Sequence, residues 1–239
     1  MKLLHLYYDI MNLYGDYANI TALMRLFQRS GLECTADRRS MSDNVTLSDY
    51  NFIYIGSGTE KNCHVVMADL QKYKDALRAA IDNGTPILMT GNAFEMLGQS
   101  ITDANGTEHK GLELFDFTDT EQNKTRNTAD AIFTSELLDK PLVGFINKCS
   151  AIHGITAPLF TVQMGLGNAP DDVHEGLHDH CLFGTHLTGP VLVKNPHFLL
   201  YLAQQIAGED TLLSEEGLTY EKAAYDISLR ELSNRNAHH

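Results

Sequence analysis

The chain has 239 residues with 18 basic against 31 acidic side chains, a net charge of −13 that excludes a nucleic-acid backbone as partner. Hydrophobic residues make up 43% with ten Phe and ten Tyr, enough to bury a large core, so disorder is excluded too. No apolar stretch approaches the roughly 20 residues that cross a bilayer, so no membrane insertion is expected.

Lys2 to Tyr8 reads as a first strand; it meets Asp9 and lacks a small-residue cleavage site, so a signal peptide is not expected and the cytoplasm is the expected location. Asp16 to Ser30 carries Ile20, Leu23, Met24 and Phe27 at helical spacing, closed by Gly31. Leu32 to Arg39 is a second candidate strand, and Phe52 to Ile55 a short apolar one opening into Gly56-Ser-Gly58. Val66 to Asp82 predicts one helix with Leu70, Tyr73, Leu77 and Ile81 inward.

Next comes Thr85-Pro-Ile-Leu-Met-Thr-Gly-Asn-Ala-Phe-Glu-Met-Leu-Gly98: a buried strand, a turn of small residues, and a helix starting near Phe94. A strand-turn-helix elbow of this kind lifts a nucleophile above the sheet, with backbone N–H groups ready for an oxyanion. Strand and helix alternate up to this point, which predicts a parallel sheet with helices on both faces.

Beyond Gly98 the pattern turns antiparallel. A hairpin is expected around Asn105-Gly106, with strands at Leu112–Phe117, Ala131–Thr134, Leu142–Ile146 and Phe160–Met164. Cys181–Leu187 and Val191–Val193 add a short strand and a turn around Gly189-Pro190. Asn195 to Ile206 is a helix ended by Gly208, and Thr219 to Leu232 a last one with Tyr220, Ala223, Ala224 and Ile227 as its apolar stripe. The expected organisation is one domain over 1–207 and a C-terminal helical extension over 208–239, ending in His238-His239.

Several segments, in order from about residue 5 to 206, carry a family resemblance. Asn12-Leu-Tyr-Gly-Asp-Tyr-Ala-Asn-Ile20, Ile55-Gly-Ser-Gly-Thr-Glu60 and the stretches Glu113–Thr118 and Lys124-Thr-Arg-Asn127 belong to it. So do Gly144-Phe-Ile-Asn147, Gly165-Leu-Gly-Asn168 with Glu175-Gly176, and Gly184-Thr-His-Leu-Thr-Gly-Pro190. Together they resemble the class I glutamine amidotransferases of the cobyric-acid-synthase type. The resemblance implies a three-layer α/β, flavodoxin-like domain. Within the family it points to the branch that amidates the stem-peptide glutamate of lipid II in peptidoglycan biosynthesis, with a MurT-like Mur ligase as partner subunit and glutamine or a similar small molecule as ligand. It implies no cofactor and no metal.

In active members an elbow Cys attacks the glutamine amide, and a His of the late box takes its proton and assists ammonia departure. Holding Leu97-Gly98 in register puts Gly91 at the nucleophile position; holding Gly189-Pro190 in register puts Thr188 at the base position. Gly has no side chain and Thr does not titrate near neutral pH, so a pseudo-glutaminase is expected. The same resemblance makes Arg126 the residue that binds the ligand carboxylate, and Gly56, Gly58 and Asn92 the oxyanion loop.

Other residues invite rival readings. Thr90, His186 or Cys149 would have to rebuild the chemistry; the favoured reading of each is instead a packed turn Thr, a core-edge or exposed His, and a small apolar filler. His174, His178, His180 and His186 near Asp171 and Asp172 suggest a metal, but the segment reads as loop. Asp9, Asp16 and Glu60 are either cleft carboxylates or caps, and the last helix either docks a partner or packs on its own domain. The scattered Cys34, Cys63, Cys149 and Cys181 contain no CxxC pair and suggest neither zinc nor disulfides.

Overall fold

A computed structural model of the chain describes residues 1–122 and 126–237. Lys124 and Thr125 of the motif that ends at Asn127, and His238 and His239, lie outside the described residues. Along the chain run β1 (Lys2–Leu6), α1 (Tyr17–Arg29), β2 (Thr35–Arg39), β3 (Phe52–Ile55), α2 (Glu60–Leu70), α3 (Lys74–Asp82) and β4 (Ile87–Thr90). There follow β5 (Ser100–Thr102), β6 (Glu108–Lys110), β7 (Thr118–Glu121), β8 (Asn127–Thr134), β9 (Leu142–Lys148), β10 (Ser150–His153) and β11 (Phe160–Met164). The rest are β12 (His174–Glu175), β13 (Leu177–Asp179), β14 (Leu182–Thr185), α4 (Val191–Lys194), α5 (Pro196–Ala207) and α6 (Thr219–Asn236).

The central sheet has the order β13-β14-β4-β3-β1-β2 and is parallel except for β13 at its edge. Its inner strands are apolar on both sides, as a sheet covered on both faces requires. Alternation sorts them into two cores: Leu4, Leu6, Ile53, Ile55, Ile87 and Met89 pack with the α2–α3 side. Leu3, Phe52, Tyr54, Leu88 and Phe183 join α1, α4, α5 and the apolar residues of β8, β9 and β11. Two further four-stranded sheets, β10-β7-β5-β6 and β12-β11-β8-β9, form the antiparallel-rich second half.

Three sequence expectations are corrected. The helix expected over Val66–Asp82 starts earlier, at Glu60, where Thr59 Oγ1 caps the Asn62 N–H, and it breaks at Gln71–Tyr73. The tighter 3₁₀ turn there resets the register so that Leu70, Tyr73, Leu77 and Ile81 all stay buried. Leu112–Phe117 is no strand. Leu112 N–H donates to Met96 O and Glu113 N–H to Gly98 O, so this loop folds back on the elbow and leaves the ladder to β7. On α6 the buried residue is Tyr225, whereas Tyr220 is 87% exposed and Ile227 53%. Tyr225 OH donates to Pro141 O at 2.7 Å, which fastens α6 to the rest of the fold.

Candidate active site

The elbow forms at the carboxyl end of β4. A 3₁₀ helix runs over Gly91–Leu97, starting at the turn itself and not at Phe94. Gly91 has φ +61°, the left-handed conformation in which a nucleophile elbow holds its residue under strain. The elbow geometry therefore exists without the side chain it would serve. A Cβ built on Gly91 would collide with the Ser57 Cβ and stand 3.1 Å from Ser57 Oγ. The space of a side chain at residue 91 is filled by a side chain from the loop after β3.

Ser57 is anchored from below. Its Oγ–H donates to Asp16 Oδ2 at 2.7 Å and its N–H to the same oxygen at 2.6 Å. Asp16 is fully buried, and burial pushes its carboxyl up to about 6 against the pull of the Ser57 donors. Asn19 Nδ2–H donates to Tyr54 OH, which lies 2.8 Å from Thr90 Oγ1; Thr90 in turn donates to Asp16 at 3.4 Å. Asp16 is thus a buried support and no cleft carboxylate, and Thr90 is a packed residue with no surface. Asp9, by contrast, accepts the Ser40 hydroxyl at an exposed site.

The small cavity in front of the elbow measures about 20 Å³, room for roughly one water. Gly91, Asn92, Ser57, Gly58, Glu60, Arg126, Cys149 and His186 are among its walls. Gly58 and Asn92 clamp each other: the Gly58 N–H donates to Asn92 Oδ1 at 2.9 Å and Asn92 Nδ2–H to Gly58 O at 3.0 Å. Gly56 sits buried under them, where a Cβ would strike Met11 O and Asp16. Of the expected oxyanion loop, the Gly58 donor is therefore spent inside the protein; the N–H of Ser57 between the two glycines is likewise spent on Asp16. Arg126 donates to Glu60 Oε1 and, at 3.0 Å, to Asn147 Oδ1.

Thr188 does not line this cavity. Its N–H and Oγ1–H both donate to Phe145 O at 2.9 Å, so its hydroxyl is committed to a bridge with β9. His186, two residues earlier, is neither exposed nor at the core edge; it is buried in the cavity wall. Its Nε2 is 2.8 Å from Glu95 Oε1 and its Nδ1 3.2 Å from Glu175 Oε1. Glu95 also accepts the Ser150 hydroxyl at 2.6 Å. Burial raises the Glu95 carboxyl, and the His186 and Ser150 donors pull it back below its ordinary value. With a carboxylate oxygen within hydrogen-bond reach of each ring nitrogen, both nitrogens of His186 are engaged inside the protein and neither faces a nucleophile at Gly91.

Cys149 lines the cavity, 3.4 Å from Glu60 Oε1. Burial and the Glu60 charge push its thiol up to about 12, the reverse of what an attacking thiolate needs. The histidines do not converge: His174 pairs with Asp172, His178 with Leu182 O and His180 with Asp179, and among the described residues no group of three or more metal-ligating side chains assembles. Sequence reasoning missed Ser57, Glu95 and Glu175. Ser57 carried a signal, as a residue with a side chain inside Gly56-Ser-Gly58; the carboxylates of Glu95 and Glu175 are joined only by the tertiary fold.

Residues 2–196 match the CobB/CobQ-like glutamine amidotransferase domain. The chain is 30% identical over 205 residues to the Staphylococcus aureus (strain N315) lipid II isoglutaminyl synthase (glutamine-hydrolyzing) subunit GatD, covering 86% of this chain and 84% of that one. It is 29% identical over 197 residues to the GatD subunit of Streptococcus pneumoniae (strain ATCC BAA-255 / R6), covering 82% and 76%. The crystal structure of a glutamine amidotransferase superimposes with a TM-score of 0.57 at 12% identity, over 86% of this chain and 99% of that one. A second, from Thermotoga maritima, gives 0.54 at 11%, over 99% and 94%. At those identities the two structures speak to the fold.

Proposed function

The chain belongs to the CobB/CobQ-like glutamine amidotransferase family, and from that premise we propose that it is a GatD-like subunit of a lipid II-amidating enzyme whose glutaminase site no longer runs cysteine chemistry. Gly91 takes the nucleophile position and Thr188 the base position, with Arg126 as the ligand-carboxylate residue. The observation that carries this reading is the elbow itself: Gly91 keeps the left-handed turn while Ser57 fills the space above it. Thioester chemistry needs an attacking thiolate, a base and free oxyanion donors. Here the first position is bare, the second hydroxyl is bound to a carbonyl, and the loop donors of Ser57 and Gly58 are used internally.

Such a subunit acts as a structural partner. It would hold a MurT-like Mur ligase in its working form and leave the ligase to draw on free ammonia, in the cytoplasm. No helix among the described residues is long and apolar enough to cross a membrane. The test has two arms: copurification of the tagged chain with a MurT-like ligase, and ammonia release from glutamine by the chain and by the complex. Capture of the ligase with no ammonia release is the expected result. Failure to bind or to alter the ligase defeats the partner reading, and ammonia release defeats the pseudo-glutaminase reading.

A further inference from the structure

Three residues of the loop 56–60 line the cavity, and each takes up either space or a polar group that a bound ligand would otherwise use. Ser57 puts its side chain into the space of a residue-91 side chain. Gly58 gives its N–H to Asn92, its reciprocal partner. Glu60, the first residue of α2, lays its carboxylate on the Arg126 guanidinium at the cavity mouth. The loop is held at both ends, by the Asp16 carboxylate under Ser57 and by the Thr59 cap on α2. What is left is a space for about one water.

We propose that this loop is a built-in strap that occupies the site as an internal ligand, with the Glu60 carboxylate seated on Arg126 in the place of a small acidic or amino-acid ligand. The proposal rests on the assignment of Arg126 above. A carboxylate ligand binds only in competition with Glu60, so the free chain has little affinity for amino acids. Whatever swings Glu60 aside frees the Arg126 guanidinium for a ligand carboxylate, while Ser57 still fills the space above Gly91. The seat is strong enough to compete, because an Arg–carboxylate contact is directional and charge-assisted. It is also cheap to break: Arg126 and Glu60 side chains are 41% and 33% exposed, and solvent screens such a pair.

The test is calorimetry with L-glutamate and L-glutamine, the probes being these two amino acids, on the full chain and its variants. Glu60→Gln keeps the side-chain size, removes the competing charge, and lies at a half-exposed position where folding is undisturbed. It is expected to tighten binding of both probes about threefold to fivefold over the wild type, the range set by releasing an exposed ion pair. Adding Ser57→Gly is expected to tighten glutamine further by making room. Adding Arg126→Ala to Glu60→Gln is expected to abolish the gain. An affinity unchanged by Glu60→Gln, a gain that survives Arg126→Ala, or no binding by any variant overturns the strap. The partner reading fails separately, because capture of the ligase is measured on the wild type and does not depend on amino-acid binding.

Discussion

His186 Nε2 lies 2.8 Å from Glu95 Oε1 in the wall of the cavity, with Glu175 Oε1 at 3.2 Å on the ring's other nitrogen. All three side chains are buried. Removing one partner of a buried pair strands the others without solvent, at a cost of about 3 to 5 kcal/mol. We therefore expect His186→Ala to lower the urea unfolding free energy by about 3 kcal/mol or more. A loss below about 1 kcal/mol would show that the network contributes little.

Gly91→Cys is expected to fail as a simple restoration. The left-handed φ of +61° costs a non-glycine residue about 1 to 2 kcal/mol, and the new Cβ meets Ser57. The single variant should be destabilised by about 2 kcal/mol or more and release no ammonia from glutamine. Ser57→Gly removes the clash, so the double variant should recover at least about 1 kcal/mol over the sum of the two single effects. Additive effects would mean that Ser57 can move out of the way and that the contact is not decisive.

The parallel half of this fold was legible because its signals are local. Apolar runs such as Phe52–Ile55 and Ile87–Met89 can bury both faces, and Gly31 and Gly84 close their helices with φ values of +73° and +71°. The loop at Leu112–Phe117 misled because its apolar residues are buried by folding back on the elbow, which produces a strand-like composition without a ladder. Gly91 and Thr188 stood out by their position in motifs. His186 read as a core-edge residue because its partners Glu95 and Glu175 are 91 and 11 residues away in sequence and meet it only when β14 pairs with β4. Ser57 was visible as a departure between two glycines, but that it points at Gly91 is a three-dimensional fact.

Tyr225 is where the C-terminal helix can be detached by one change. It is the buried side chain of α6, and its OH donates to Pro141 O. Tyr225→Phe removes only the hydrogen bond, about 1 kcal/mol, while Tyr225→Ala also opens the packing and should cost about 3 kcal/mol. Limited proteolysis reads the difference: cleavage between Gly208 and Thr219 should accelerate in the Ala variant and hardly change in the Phe variant. Equal protection of both would mean that α6 is held by other contacts.

Asp119 makes stability fall as pH rises. Both its oxygens are buried without a hydrogen-bond donor, and the Glu95 carboxylate lies close by. Burial first, and then Glu95, push its carboxyl from 3.8 up to about 9, so the folded protein keeps the proton through neutrality. The unfolded chain releases it near 3.8. Between those values the folded state binds more protons than the unfolded one, so this group's contribution to stability is complete below about pH 4 and is lost as pH rises towards 9. Asp119→Asn keeps the shape, offers an N–H to Glu95 and titrates nowhere. Its stability relative to the wild type should therefore grow with pH, by about 1.4 kcal/mol per pH unit, or about 4 kcal/mol from pH 5 to pH 8. Asp16, raised to about 6, tilts both proteins alike and cancels in the difference. Denaturation curves at pH 5, 6.5 and 8 measure it, and a difference independent of pH would mean that Asp119 is already ionised in the fold.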